Sequence, residues 1–146
     1  MTAMGADVSR VLIADGDAGL RQQLFSALLG LDVYADMVSN TDDTLSKLNE
    51  QEYGVVVVDV ALPFGDVERV IAHIESLPMA LRPVVLVLAA NPEPARSLDV
   101  EIVQIVLRRP VNLPQLVDVV RSCIRSHARA RDGANTSRAI RGHITS

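Results

Sequence analysis

The chain has a single cysteine, Cys123, in 146 residues. An internal disulfide and a cysteine-built zinc site are both excluded. Long apolar runs are absent too. The longest strictly apolar stretch is Val84–Ala90, against the roughly 20 residues that a membrane-spanning helix needs. Met1–Arg10 contains no apolar h-region, so no secretion signal is expected. No Gly-rich phosphate loop, no GxGxxG and no P-loop lysine follow the first apolar run, which counts against a small nucleotide-binding enzyme. The expectation left by these absences is a soluble chain in a reducing, cytoplasmic setting.

What is present suits one globular domain. Hydrophobic residues make up 49% and charged residues 22% of the chain, which excludes wholesale disorder. Net charge is −4, unevenly placed. Residues 121–146 carry six arginines against Asp132, a surplus of +5. Residues 1–120 carry 8 basic and 17 acidic side chains, or −9. An acidic body argues against nucleic-acid binding by the domain itself.

Short β-branched runs alternate with helical stripes. Val11–Ala14 reads as a strand. Leu20, Leu24 and Leu28 then form one helical stripe, with Asp17 placed as an N-cap and Gly30 just past the end. Val33, Ala35 and Met37 alternate as in a half-exposed edge strand. Asp42–Glu50 reads as a helix, with Leu45 and Leu48 inward and Thr41 as its cap. The four valines Val55–Val58 cannot alternate in and out, so both faces of that strand must be covered, as in a central parallel strand. Val67, Val70, Ile71, Ile74 and Leu77 give another helical stripe, closed by Pro78. Val84–Ala90 and Ile102–Leu107 read as two more fully buried strands. Between them, Asn91–Asp99 holds Pro92 and Pro94 and predicts only a short or irregular helix. Leu116, Val117, Val120 and Ile124 mark the inner face of a last helix capped by Asn112, with Pro114 tolerated in its first turn.

These elements divide the chain into an N-terminal extension at 1–9, one domain at 10–126 and a basic tail at 127–146 that loses its apolar periodicity and is expected to be flexible. Five strands, each followed by a helix, require a doubly wound five-stranded parallel sheet with helices on both faces, of flavodoxin-like order 2-1-3-4-5. Ligands of such sheets sit at the carboxyl ends of the strands, where the order reverses. Asp15 and Asp17 follow strand 1 and Asp59 follows strand 3, so the topology gathers carboxylates there. Close carboxylates repel unless a proton or a hard cation such as Mg²⁺ sits among them. The histidines, His73, His127 and His143, are scattered and expected to be solvated.

The chain resembles the receiver domain of two-component response regulators over residues 10–126. The resemblance is carried by VLIADGDAGLR at 11–21, VVVVDVALPFGDV at 55–67, PVVLVLAA at 83–90 and IVLRRP at 105–110, in order and with compatible spacing. It implies a non-enzymatic phosphorelay protein in which Asp59 accepts a phosphoryl group from a histidine kinase or phosphotransfer protein. It implies Mg²⁺ on the acidic cluster, Asp59 and the backbone carbonyl of Ala61, and output by contact with a downstream protein partner. Pro63 stands in the usual place in the loop after the acceptor strand.

Three positions depart from the family pattern. Gly16 replaces the second acidic residue, the usual direct metal ligand; Asp15, Asp59 and Pro110 remain, and Asp17 could reach toward a metal from a shifted position. Ala89 replaces the strand-4 threonine or serine, and Arg109 replaces the strand-5 lysine. The aromatic position of strand 5 is Val106. Weak Mg²⁺ binding is expected, and Arg109 is expected within reach of Asp59, because a guanidinium fork holds carboxylate as well as phosphate. Two functions fit: an atypical stand-alone receiver phosphorylated on Asp59, and a phosphorylation-independent pseudo-receiver that binds a partner. A homodimer would use the face of helix 4, strand 5 and the last helix, where the family usually pairs, although a shortened helix 4 counts against that mode. The basic tail is either a solvated extension or an electrostatic arm for an acidic partner or nucleic acid.

Overall fold

A computed structural model describes residues 10–62, 67–91 and 98–145, with side chains described as far as Ala130. Its strands are β1 (Val11–Ala14), β2 (Ala35–Val38), β3 (Val55–Asp59), β4 (Val84–Ala89) and β5 (Val103–Arg108). Its helices are α1 (Ala18–Leu29), α2 (Thr41–Glu50), α3 (Val67–Glu75) and α4 (Leu113–Thr145), with a short 3₁₀ turn at Met79–Leu81. The strands form one parallel sheet in the order β2-β1-β3-β4-β5, as the alternation of elements predicts.

The valine run explains the layering. Val56 and Val58 point into a core shared with Leu48 of α2 and Val70 and Ile74 of α3. Val55 and Val57 point into the opposite core, with Leu24 of α1 and Leu116 and Val120 of α4. All four valines are fully buried, as a central strand requires. The flanking strands differ. β2 is an edge strand in which Val38 is buried and Met37 exposed.

β5 corrects the sequence reading. Val103 is buried, but the residues after it alternate between exposed and half-buried, so β5 is not a third fully buried strand. It is the other edge of the sheet, and only its Ile105 and Leu107 join the α1/α4 core. Val106, on the other side, is 40% exposed. A β-branched apolar run is ambiguous between a two-sided strand and an edge strand.

The caps are mostly where the sequence puts them. The Asp17 carboxylate accepts from the Gly19 and Leu20 amides and opens α1. Asn112 accepts from the Gln115 amide and opens α4. At α2 the cap is Asn40, which bonds the Asp43 amide, while Thr41 lies inside the helix and is buried. At the end of α1, Gly30 keeps a right-handed φ of −62, and the left-handed residue is Asp32, φ 61.

The last helix is a second correction. α4 does not stop near 126 but continues to Thr145, 33 residues in all. The inward stripe of Leu116, Val120 and Cys123 extends one turn further, to His127, which is 6% exposed and not solvated. Ala128, Arg129, Ala130 and Arg131 are strong helix formers that carry the helix onward. His73 is half-buried, and its Nε2 is buried without a hydrogen-bond partner. The 1–9 extension, Pro63, the side chain of His143 and the helix expected around Pro92 and Pro94 lie outside the described residues.

Candidate functional site

The candidate site forms where β1, β3 and β5 end. Asp15 directly follows β1, and its amide is still paired with the Val38 carbonyl. Asp59 is the last residue of β3. Arg109 directly follows β5, and its amide donates to the Ala89 carbonyl at 2.9 Å. Ala89 ends β4 between them and is fully buried. The Arg109–Pro110 peptide is cis.

Arg109 bridges the two carboxylates. Its Nη2 donates to Oδ2 of Asp15 and lies 3.4 Å from Oδ2 of Asp59. The Asp59 contact is the one the sequence predicts. The tighter contact, to Asp15, is not legible in sequence, because it crosses two intervening strands, β3 and β4, and 94 residues. Of the two strands between, β4 ends in the small, fully buried Ala89. The Asp15 side chain is 1% exposed, that of Asp59 14% and that of Arg109 20%. A bridge this far from solvent is screened much less than a surface pair.

The remaining carboxylate oxygens are also engaged. Asp15 Oδ1 accepts from the Asp17 amide at 2.8 Å. Asp59 Oδ1 accepts from the Ala61 amide at 2.9 Å. Arg21 Nη1 donates to the Asp15 carbonyl at 2.7 Å and ties α1 to the end of β1. Burial pushes the Asp15 carboxyl above its ordinary range, and the nearby Asp59 charge pushes the same way. The Asp17 amide and the Arg109 guanidinium pull it back only in part.

Magnesium does not suit this donor set. A hard divalent cation needs several free oxygen ligands in near-octahedral array. Here each oxygen of Asp15 and Asp59 faces an N–H donor or a guanidinium. Asp17 is committed to the helix cap, so it does not replace the carboxylate missing at Gly16. Ala61 offers its amide to Asp59. Among the described residues, no group of three or more histidine, cysteine or acidic side chains is disposed to hold a metal ion. No described helix is long and apolar enough to cross a membrane.

No family model matches the sequence, and no curated protein matches it. Solved structures do match. A CheY-like response regulator receiver domain from Methylobacillus flagellatus superposes with a TM-score of 0.65 at 19% identity, over 79% of this chain and 98% of that one. An adenylate cyclase structure from Rhodopirellula baltica gives 0.77 at 17% identity, over 89% and 97%. The receiver domain of a sensor histidine kinase from Pseudomonas aeruginosa gives 0.66 at 19% identity, over 80% and 97%; that protein carries a magnesium ion coordinated in its active-site cleft. The fold is that of response regulator receiver domains.

Proposed function

We propose that this protein is a phosphorylation-independent receiver-fold module, a pseudo-receiver that signals by protein–protein contact and performs no catalysis. The observation that carries this reading is the Arg109 bridge. Phosphoryl transfer to an aspartate needs a free attacking oxygen and a cation that neutralises charge as it spreads over the incoming group. Asp59 has one oxygen bonded to the Ala61 amide and the other against a guanidinium. Ala89 supplies no hydroxyl for a phosphoryl oxygen, and Gly16 no carboxylate for a metal. In place of an exchangeable metal, the site holds a counter-ion covalently tethered to the chain.

The other reading has one observation in its favour. Asp59 ends a central strand at the ligand edge of the sheet, with its side chain 14% exposed. In that reading a histidine kinase or phosphotransfer protein donates the phosphoryl group and Mg²⁺ assists. Beryllofluoride, a mimic of the aspartyl phosphoryl group, separates the two. With Mg²⁺ and beryllofluoride, the amide NMR spectrum of the pseudo-receiver stays unchanged around Asp59 and Ala89. Saturable shifts at both positions would establish the phosphoacceptor instead.

A further inference from the structure

We infer that α4 is a docking arm for a second copy of this chain, its arginine row lying against the acidic outer face of the second copy's α2 and α3. This deepens the interaction-module reading by naming the partner, and it rests on that reading. The first observation is length. At 1.5 Å per residue, a helix of 33 residues is roughly 50 Å long. Among the residues of α4 whose side chains are described, the last buried one is His127. The helix runs on from there to Thr145, roughly 27 Å further.

The second observation is a row of like charge. Arg121, Arg125 and Arg129 recur every fourth residue, so they share one helix face, and all three are exposed. None of the ion pairs among the described residues involves them. Arg129 Nε points back to the Arg125 carbonyl at 3.5 Å. Like charges at this spacing disfavour a helix in isolation, whereas an opposing acidic surface turns the same row into an attraction. In the sequence, Arg131, Arg138 and Arg141 follow that row, against Asp132 alone.

The third observation is where the opposite charge lies. The body from 1 to 120 carries −9. Asp43, Glu50, Glu68 and Glu75 are exposed on α2 and α3. The cations of that face are Lys47, 4.0 Å from Glu50, and Arg69, 3.5 Å from Asp42. That layer lies across the sheet from α4, so the arginine row and the acidic residues of one copy belong to elements on opposite faces of the sheet. The row can cover the acidic face of a second copy. Exchanged reciprocally, the contact is the same in both directions and closes as a two-fold dimer. The acidic body would oppose nucleic acid approaching the same arm.

Sedimentation equilibrium of the full chain tests this. A dimer at about 50 mM salt should weaken at least about tenfold at about 500 mM, because exposed charge pairs are screened. Arg121→Glu/Arg125→Glu/Arg129→Glu should be monomeric at both, with its helical circular dichroism retained. Glu68→Lys/Glu75→Lys should be monomeric too, and an equal mixture of the two variants should regain a dimer. The second variant leaves α4 untouched, so the result does not depend on how well the first one folds. A monomeric wild type, a dimer indifferent to salt, a mixture that stays monomeric, or duplex DNA bound in the absence of any dimer would each overturn the inference. Phosphoryl labelling of Asp59 reads the parent proposal separately and has no bearing on these outcomes.

Discussion

Arg109 holds Asp15 and Asp59 with one guanidinium nitrogen, tying the ends of β1 and β3 to the end of β5. Taking the guanidinium away leaves two neighbouring carboxylates, one of them buried. Arg109→Met should therefore destabilise the protein by about 3–5 kcal/mol at neutral pH, the range for breaking a buried pair by removing one partner. Urea denaturation measures it. A loss below about 0.5 kcal/mol would put the bridge in the class of weak surface pairs.

The Asp15 carboxyl should titrate above its ordinary value of 3.8, because burial disfavours the charged form more than Arg109 and the Asp17 amide favour it. The sign for stability follows. The native state holds this proton more tightly than the unfolded chain. The contribution of Asp15 to stability therefore falls as pH rises from 3.8 to its native midpoint, and is level above that. Carboxyl carbon NMR reads the midpoint directly. In Arg109→Met the midpoint should move further upward, since a group that favours the charged form has gone.

Asp17 acts as a helix cap. Asp17→Ala should cost about 1 kcal/mol, the usual value of an N-cap, and Asp17→Asn should recover most of it. Neither change should alter the response to Mg²⁺. A Mg²⁺ response that disappears in Asp17→Asn would show that Asp17 is a ligand.

Magnesium itself should bind the wild type more weakly than about 1 mM, since few oxygens are free to replace the water around the ion. Gly16→Asp combined with Arg109→Lys restores a carboxylate and removes the fork, and should tighten binding at least about tenfold. Calorimetry decides, and submillimolar affinity of the wild type would contradict the displaced-metal view.

Much of the fold was legible because its central signals are redundant. Val55–Val58 has no amphipathic alternative, and Leu20, Leu24 and Leu28 have only one face to share. The failures lie where one pattern serves two structures. Ile102–Leu107 reads as fully buried, yet an edge strand tolerates the same β-branched run. The basic stretch 127–146 reads as a flexible tail, yet to Thr145 it continues a helix whose packed stripe runs from Leu116 to Cys123. At the site, residue types and strand ends were readable, and so was the approach of Arg109 to Asp59. The Asp15 contact was not, because it joins residues 94 positions apart across two intervening strands, which no local pattern encodes.

The most direct test is labelling of Asp59 by a small phosphodonor such as acetyl phosphate in Mg²⁺, followed by intact mass and by mapping of the modified residue. The bridge predicts that the wild type stays unlabelled and that Arg109→Lys, which keeps the charge and loses the fork, gains label on Asp59. Wild-type protein labelled at Asp59, with Arg109→Lys labelled no faster, would contradict it.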